Sequence, residues 1–222
     1  MQAQNLRLER IIPVTAMLGG TLLAIHYFLH LTYGLQTGKI LWDAMSSPLG
    51  RIDGPVFTAS FATMDLTLIA IAMAYYRQLN AIKFGVLFFG VVAFLCAMTG
   101  FVATLLGNMV PYVMPVACLT MFLSAILLSI ATLKARVLPA WVRSGLLAFG
   151  VFTAPLGFAL PNLKPMLPEF ALFELHFMFP ALLWVAMGIA LARQHGNRRG
   201  TGQAEKLVTR KIPAFKETPE EN

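Results

Sequence analysis

FGVLFFGVVAFLCAMTGFVATLL, residues 84–106, and PYVMPVACLTMFLSAILLSIATL, residues 111–133, contain no charged side chain. As helices rising about 1.5 Å per residue, both are long enough to cross a hydrocarbon core of about 30 Å. Lipid offers no partner to backbone N–H and C=O groups, so a spanning segment is a helix or a strand of a closed barrel, and neither run alternates with the period of two that a barrel needs. Four further predominantly apolar runs of similar length lie at 11–33, 55–76, 141–160 and 170–192. The expected fold is therefore all-α, a polytopic integral membrane bundle of six transmembrane helices occupying residues 1–193. Composition agrees: 58% of the 222 residues are hydrophobic and 12% charged, against about a quarter charged in soluble proteins.

Arg7 and Arg10 ahead of the first run imitate a secretory signal. The run continues past 20 residues with no small-x-small cleavage site, so it reads as a retained helix. From about residue 194 the chain turns polar and rich in Arg, Lys, Glu and Gly. That composition predicts a disordered basic cytoplasmic tail over 194–222, suited to anionic headgroups.

Charge sets the expected orientation. With the N-terminus in the cytoplasm, Arg7, Arg10, Arg77, Lys83, Lys134, Arg136, Arg143 and seven basic residues of the tail are all inside, 14 of the 17 Lys and Arg. Only Lys39, Arg51 and Lys164 fall outside. This is the positive-inside pattern, with both termini in, and it accounts for the net charge of +7 without nucleic acid.

The connection from Gly34 to Gly54 carries Trp42, Asp43, Pro48, Arg51 and Asp53. Its Gly and Pro content predicts a structured loop, long enough for a lid, in which Arg51 and Asp53 form an ion pair at headgroup level. The brief link at 107–110 makes spans three and four antiparallel neighbours. No internal repeat relates the two halves, which weakens an inverted-repeat transporter reading.

Ionisable residues inside a membrane cost about 2.5–3.5 kcal/mol each on the insertion scale, so each needs a reason. The spans hold His26, His30, Asp65, Glu174 and His176, all at the midplane or in the expected outer half. His26 and His30 are spaced i, i+4 and share one helix face, where they can grip a divalent metal or simply meet headgroups and water. Asp65 lies on a stripe with Thr58, Ala62 and Ala72, small residues that admit a neighbouring helix, and is expected to point into the bundle. Glu174 lies on a stripe with Ala181 and Gly188. His176, rotated about 200° from it, shares the side of Leu183, Trp184 and Met187 and is expected to face lipid or another subunit. Asn108 and Asn162 place amides at outer helix ends. Pro155 and Pro180 each free a carbonyl one turn back. Cys96 and Cys118 lack metal or redox spacing and read as core filler.

Absent motifs exclude several classes. No G-x-S-G nucleophile supports a rhomboid-type protease, four histidines are too few for a membrane desaturase, and neither C-x-x-C nor a phosphate-cradling glycine loop occurs.

The segment Leu133–Gly150, LKARVLPAWVRSGLLAFG, together with the six-span layout, resembles bacterial six-helix membrane proteins of a domain-of-unknown-function type. The resemblance implies a bacterial inner-membrane setting and carries no active site.

Three functional readings follow. In the first, His26, His30, Asp65 and Glu174 line a polar pocket toward the outer face under the 34–54 connection, binding a small or lipid-like ligand. Asp65 is then the candidate acid, His26 the base or orienting partner and Glu174 the second carboxylate, while His30, Arg51, Asp53, Asn108 and Asn162 contact the ligand. In the second, His26 and His176 are axial ligands of a b-type haem in an electron-transfer protein. In the third, the chain is a non-catalytic membrane subunit or assembly partner whose polar residues only fix helix packing.

Overall fold

The structure, a computed structural model, describes residues 2–44, 46–108, 110, 112–159, 177–194 and 196. They form α1 (Gln2–Thr37), a short 3-10 turn (Leu41–Ala44), α2 (Pro48–Ala74), α3 (Ile82–Leu105), α4 (Val113–Ala135), α5 (Ala140–Ala159) and α6 (Phe177–Gln194). No strand occurs among the described residues. Within them, Leu8–Thr37 of α1 and the whole of α2, α3, α4 and α6 are each long and apolar enough to cross a membrane, and α5 adds a shorter apolar helix. The large apolar side chains on the outside have lipid as their natural solvent: Phe88 is 64% and Leu95 59% exposed on α3, as are Phe28 of α1 and Leu182 of α6 to a similar degree.

Neighbouring helices are antiparallel and close into a ring. α1 meets α2 with Thr15 opposite Thr67 and Gly19 against Met64. α2 meets α3 with Thr58 opposite Thr104 and Ile69 against Gly90. The Ser124 hydroxyl of α4 donates to the Val86 carbonyl of α3 at 3.0 Å. Ser129 of α4 donates to the Arg143 carbonyl of α5 at 2.8 Å, while the Arg143 guanidinium caps the Thr132 and Leu133 carbonyls at the end of α4. Phe149 of α5 lies edge-on to Trp184 of α6, with ring centroids 5.7 Å apart. Gly20 of α1 and Gly188 of α6 close the ring by bringing two backbones together. The start of α1 and the end of α6 therefore lie at one end of the bundle, and the α1–α2 connection at the other.

Two expectations are corrected here. The 34–54 connection is mostly helix: α1 continues to Thr37, and α2 begins at Pro48. Ser47 caps it, accepting from the Gly50 N–H at 3.1 Å, and Pro48 occupies the first helical position, where its missing N–H costs nothing. Pro48, part of the Gly and Pro content that suggested a loop, is instead at a helix start. In addition, the Leu183, Trp184 and Met187 side of α6 does not face lipid; Trp184 and Met187 are fully buried and the lipid side carries Phe179, Leu182 and Ile189.

The Thr67 hydroxyl lies 2.8 Å from Thr15 Oγ1 and 2.9 Å from the Thr63 carbonyl, its one proton shared between these two acceptors, while Thr15 donates to the Ile11 carbonyl of its own helix. Thr67→Val therefore removes one interhelical bond without stranding a partner. It is expected to lower stability by about 0.6 kcal/mol, measured by reversible unfolding in mixed detergent.

Candidate metal centre

The α1 positions Ile12, Ala16, Gly19, Leu23, His26 and His30 recur at spacings of three and four and make the seam against α2. On α2 the matching seam is Asp53, Phe57, Ser60, Met64 and Thr67. The antiparallel register that pairs Thr15 with Thr67 and Gly19 with Met64 sets Asp53 opposite His26 and His30.

Asp53 joins the two histidines. His26 Nδ1 lies 2.7 Å from Asp53 Oδ1 and His30 Nε2 lies 2.9 Å from Asp53 Oδ2. A carboxylate only accepts, so each imidazole donates from the nitrogen facing it, Nδ1 of His26 and Nε2 of His30. Asp53 and His26 are fully buried and His30 is 2% exposed. The sequence-level alternative in which these histidines face headgroups and water is thereby excluded.

Aromatic rings enclose the cluster. His26 stacks at a tilt on His30 with centroids 4.5 Å apart and on Phe57 at 4.4 Å. Trp42, carried over the pair by the 3-10 turn, lies 5.8 Å from His26 and 5.4 Å from His30. Phe177 at the start of α6 packs edge-on against His26 at 5.9 Å. These rings thin the water around the three polar groups and strengthen every electrostatic contact among them.

His26, His30 and Asp53 each offer one ligand atom, all within 4.8 Å of one another. Two imidazole nitrogens and a carboxylate oxygen suit Zn²⁺ and neighbouring divalent metals. Donors bonded to a tetrahedral ion at about 2.0–2.2 Å stand about 3.3 Å apart. The two His–Asp separations, 2.7 and 2.9 Å, would open by about half an ångström around such an ion, and any donor pair near the 4.8 Å limit would close toward it.

The other candidate residues lie elsewhere. Asp65 is fully buried, as expected, but it is twelve residues beyond Asp53 on α2, about 18 Å along the helix, and does not join the histidines. Arg51 does not pair with Asp53. It is exposed and lines a surface cleft with Ser46, Thr104 and Gly107, because the carboxylate it was expected to meet turns inward to α1. Asn108 is exposed on the α3–α4 turn. Asn162, Glu174, His176 (the second ligand of the haem reading) and the 197–222 segment lie outside the described residues.

Asp53 is the residue whose central position was missed. The signal was present: a Ser N-cap and Pro at the first helical position put Asp53 one and a half turns into α2, on the face of Phe57 and Ser60.

No protein-family model, curated protein or solved structure matches this chain. Fold and site together define a class: an all-α, multi-pass membrane bundle with a buried His/Asp group at the end carrying the α1–α2 connection.

Proposed function

We propose that this chain binds a divalent transition-metal ion at His26, His30 and Asp53, close to the outer face of a bacterial inner membrane, and presents it to a small or lipid-like ligand. One observation carries the reading: two helices deliver three buried donors of metal-binding type within 4.8 Å of one another. Ionisable groups sunk in a membrane bundle mark functional sites more often than packing alone would require. The outward orientation is supported by the 14 of 17 basic residues assigned to the opposite end and the tail.

In this reading His26 and His30 hold the ion from one face of α1, and Asp53 supplies the third ligand from α2. A bound ion of this class acts as a Lewis acid and makes a coordinated water acidic near neutral pH. Trp42 and Phe57 shield the donors from bulk water. Asp65 has no part in this site.

Metal analysis of protein purified in mild detergent tests the proposal. About one Zn²⁺ or Co²⁺ per chain is expected, with a cobalt ligand-field spectrum that disappears in His26→Ala and His30→Ala while both variants still insert. Protein that stays metal-free after equilibration with Zn²⁺, Co²⁺ and Mn²⁺ would refute it. The second reading, favoured by the 2.7 and 2.9 Å hydrogen bonds themselves, would then stand: a metal-free clasp between α1 and α2 in a non-catalytic membrane subunit.

A further inference from the structure

Asp65 sits about two-thirds of the way along α2, fully buried, and neither carboxylate oxygen has a hydrogen-bond partner among the described residues. α2 packs there against α3 and α4. The register given by Thr58 with Gly100 and Ile69 with Gly90 brings the fully buried Ala93 and Ala97 of α3 to its level. On α4, Cys118 is close enough to interact with it electrostatically, beside the buried Ala117 and Met121.

Among the described residues no cation balances it. The titratable groups of α3 are Cys96 and, at its far end, Lys83; those of α4 are Cys118 and, in its last turn, Lys134. On α1 the nearest imidazoles are engaged with Asp53, about 18 Å along α2. An ionised carboxylate with no partner in an apolar seam is prohibitively costly, whereas a neutral carboxyl loses only its hydrogen bonds.

We propose that Asp65 is a mid-membrane proton-binding site, separate from the His26–His30–Asp53 centre, whose proton keeps the α2–α3–α4 seam closed. Releasing the proton leaves a bare charge among alanines, so the seam must open or admit water for the charged form to exist. Proton occupancy and helix packing are thereby two descriptions of one equilibrium. Such a site is what a membrane protein needs to link proton movement to a change of shape. Its ligand is the proton alone, and it holds whether or not the histidine centre takes a metal.

Infrared difference spectroscopy on protein in lipid, with ¹³C-labelled aspartate, reads this directly, because only Asp43, Asp53 and Asp65 contribute. At pH 7 we expect an aspartic C=O stretch of the protonated form, shifted by D₂O, absent in Asp65→Asn and retained in Asp43→Asn and Asp53→Asn. The band should vanish reversibly as pH is raised while the protein stays folded. If Asp65→Asn fails to fold, the labelled wild-type band and its displacement in Asp65→Glu provide the same decision. No protonated aspartate band at pH 7, a band that persists in Asp65→Asn, or one that never titrates in folded protein would overturn the proposal.

Discussion

Alanine at Asp53 will abolish metal retention and destabilise the bundle at the same time. The carboxylate accepts from both His26 and His30 in a site with essentially no solvent. Removing it strands two buried N–H donors, and each such orphan costs about 1–3 kcal/mol. Metal affinity should fall by more than about 100-fold, since losing even an outer-shell partner of a ligand costs 10–100-fold. Asp53→Asn separates the two effects. The amide keeps the volume and an acceptor oxygen, so it should unfold closer to wild type than alanine does, yet lose the ion because a neutral amide is a poor ligand. Calorimetric titration with Zn²⁺ and thermal unfolding with and without metal provide the measurements. An Asp53→Ala protein as stable as wild type would contradict the geometry of the centre. Wild-type stability indifferent to metal would instead favour the clasp.

A side chain at Gly20 will force apart the pair of helices that closes the ring. A Cβ built there would lie 2.7 Å from the Ala181 carbonyl oxygen and 2.8 Å from the Val185 nitrogen of α6. Across the same interface, a Cβ at Gly188 would come within 2.8 Å of the Pro13 carbonyl oxygen and 2.9 Å of the Met17 nitrogen. These are backbone atoms and cannot rotate aside, so only a displacement of one helix relieves the overlap. Gly20→Ala is expected to cost about 1–3 kcal/mol, and Gly20→Val more, to the point that little folded protein accumulates. Gly145 provides the control. Its added Cβ would meet Leu183 Cδ1 at 2.6 Å, but that is the far end of a flexible side chain, so Gly145→Ala should cost less than about 1 kcal/mol. Because Phe177 of α6 packs on His26, the Gly20 variant should also weaken metal binding, whereas Gly145→Ala should not. Equal unfolding midpoints for the two alanine variants would refute the close approach of α1 and α6.

How far the site was legible depended on which residues carried it. His26 and His30 declared themselves by their i, i+4 spacing, and their shared face is the one the structure uses. Asp65 was correctly read as inward because its neighbours on the stripe are small. Its separation from the histidines was not readable, since a single helix stripe says which side a residue is on and nothing about what stands opposite. Asp53 was set in a loop because Pro48, Gly50 and Gly54 look like turn residues. Inside a bundle the same residues are compatible with helix, as the run of α2 through Pro55 shows.

The sequence alone determined that the chain is a bundle of long apolar helices, with the limits of α3 and α4 placed to within about two residues, whereas α1 and α2 extend well past the limits read for them and α5 is the shorter helix. A chain surrounded by lipid must satisfy its own backbone, which leaves little choice once apolar length is counted. What only the tertiary structure decided was the rotation of each helix about its axis, and therefore which polar groups meet. Trp184 shows why: a bulky apolar side chain is as well placed in lipid as in the core, so hydrophobicity cannot tell the two apart. Rotation is decided by backbone approach at Gly20 and Gly188 and by the hydrogen bonds of Asp53. Both are properties of helix pairs that no single stretch of sequence contains.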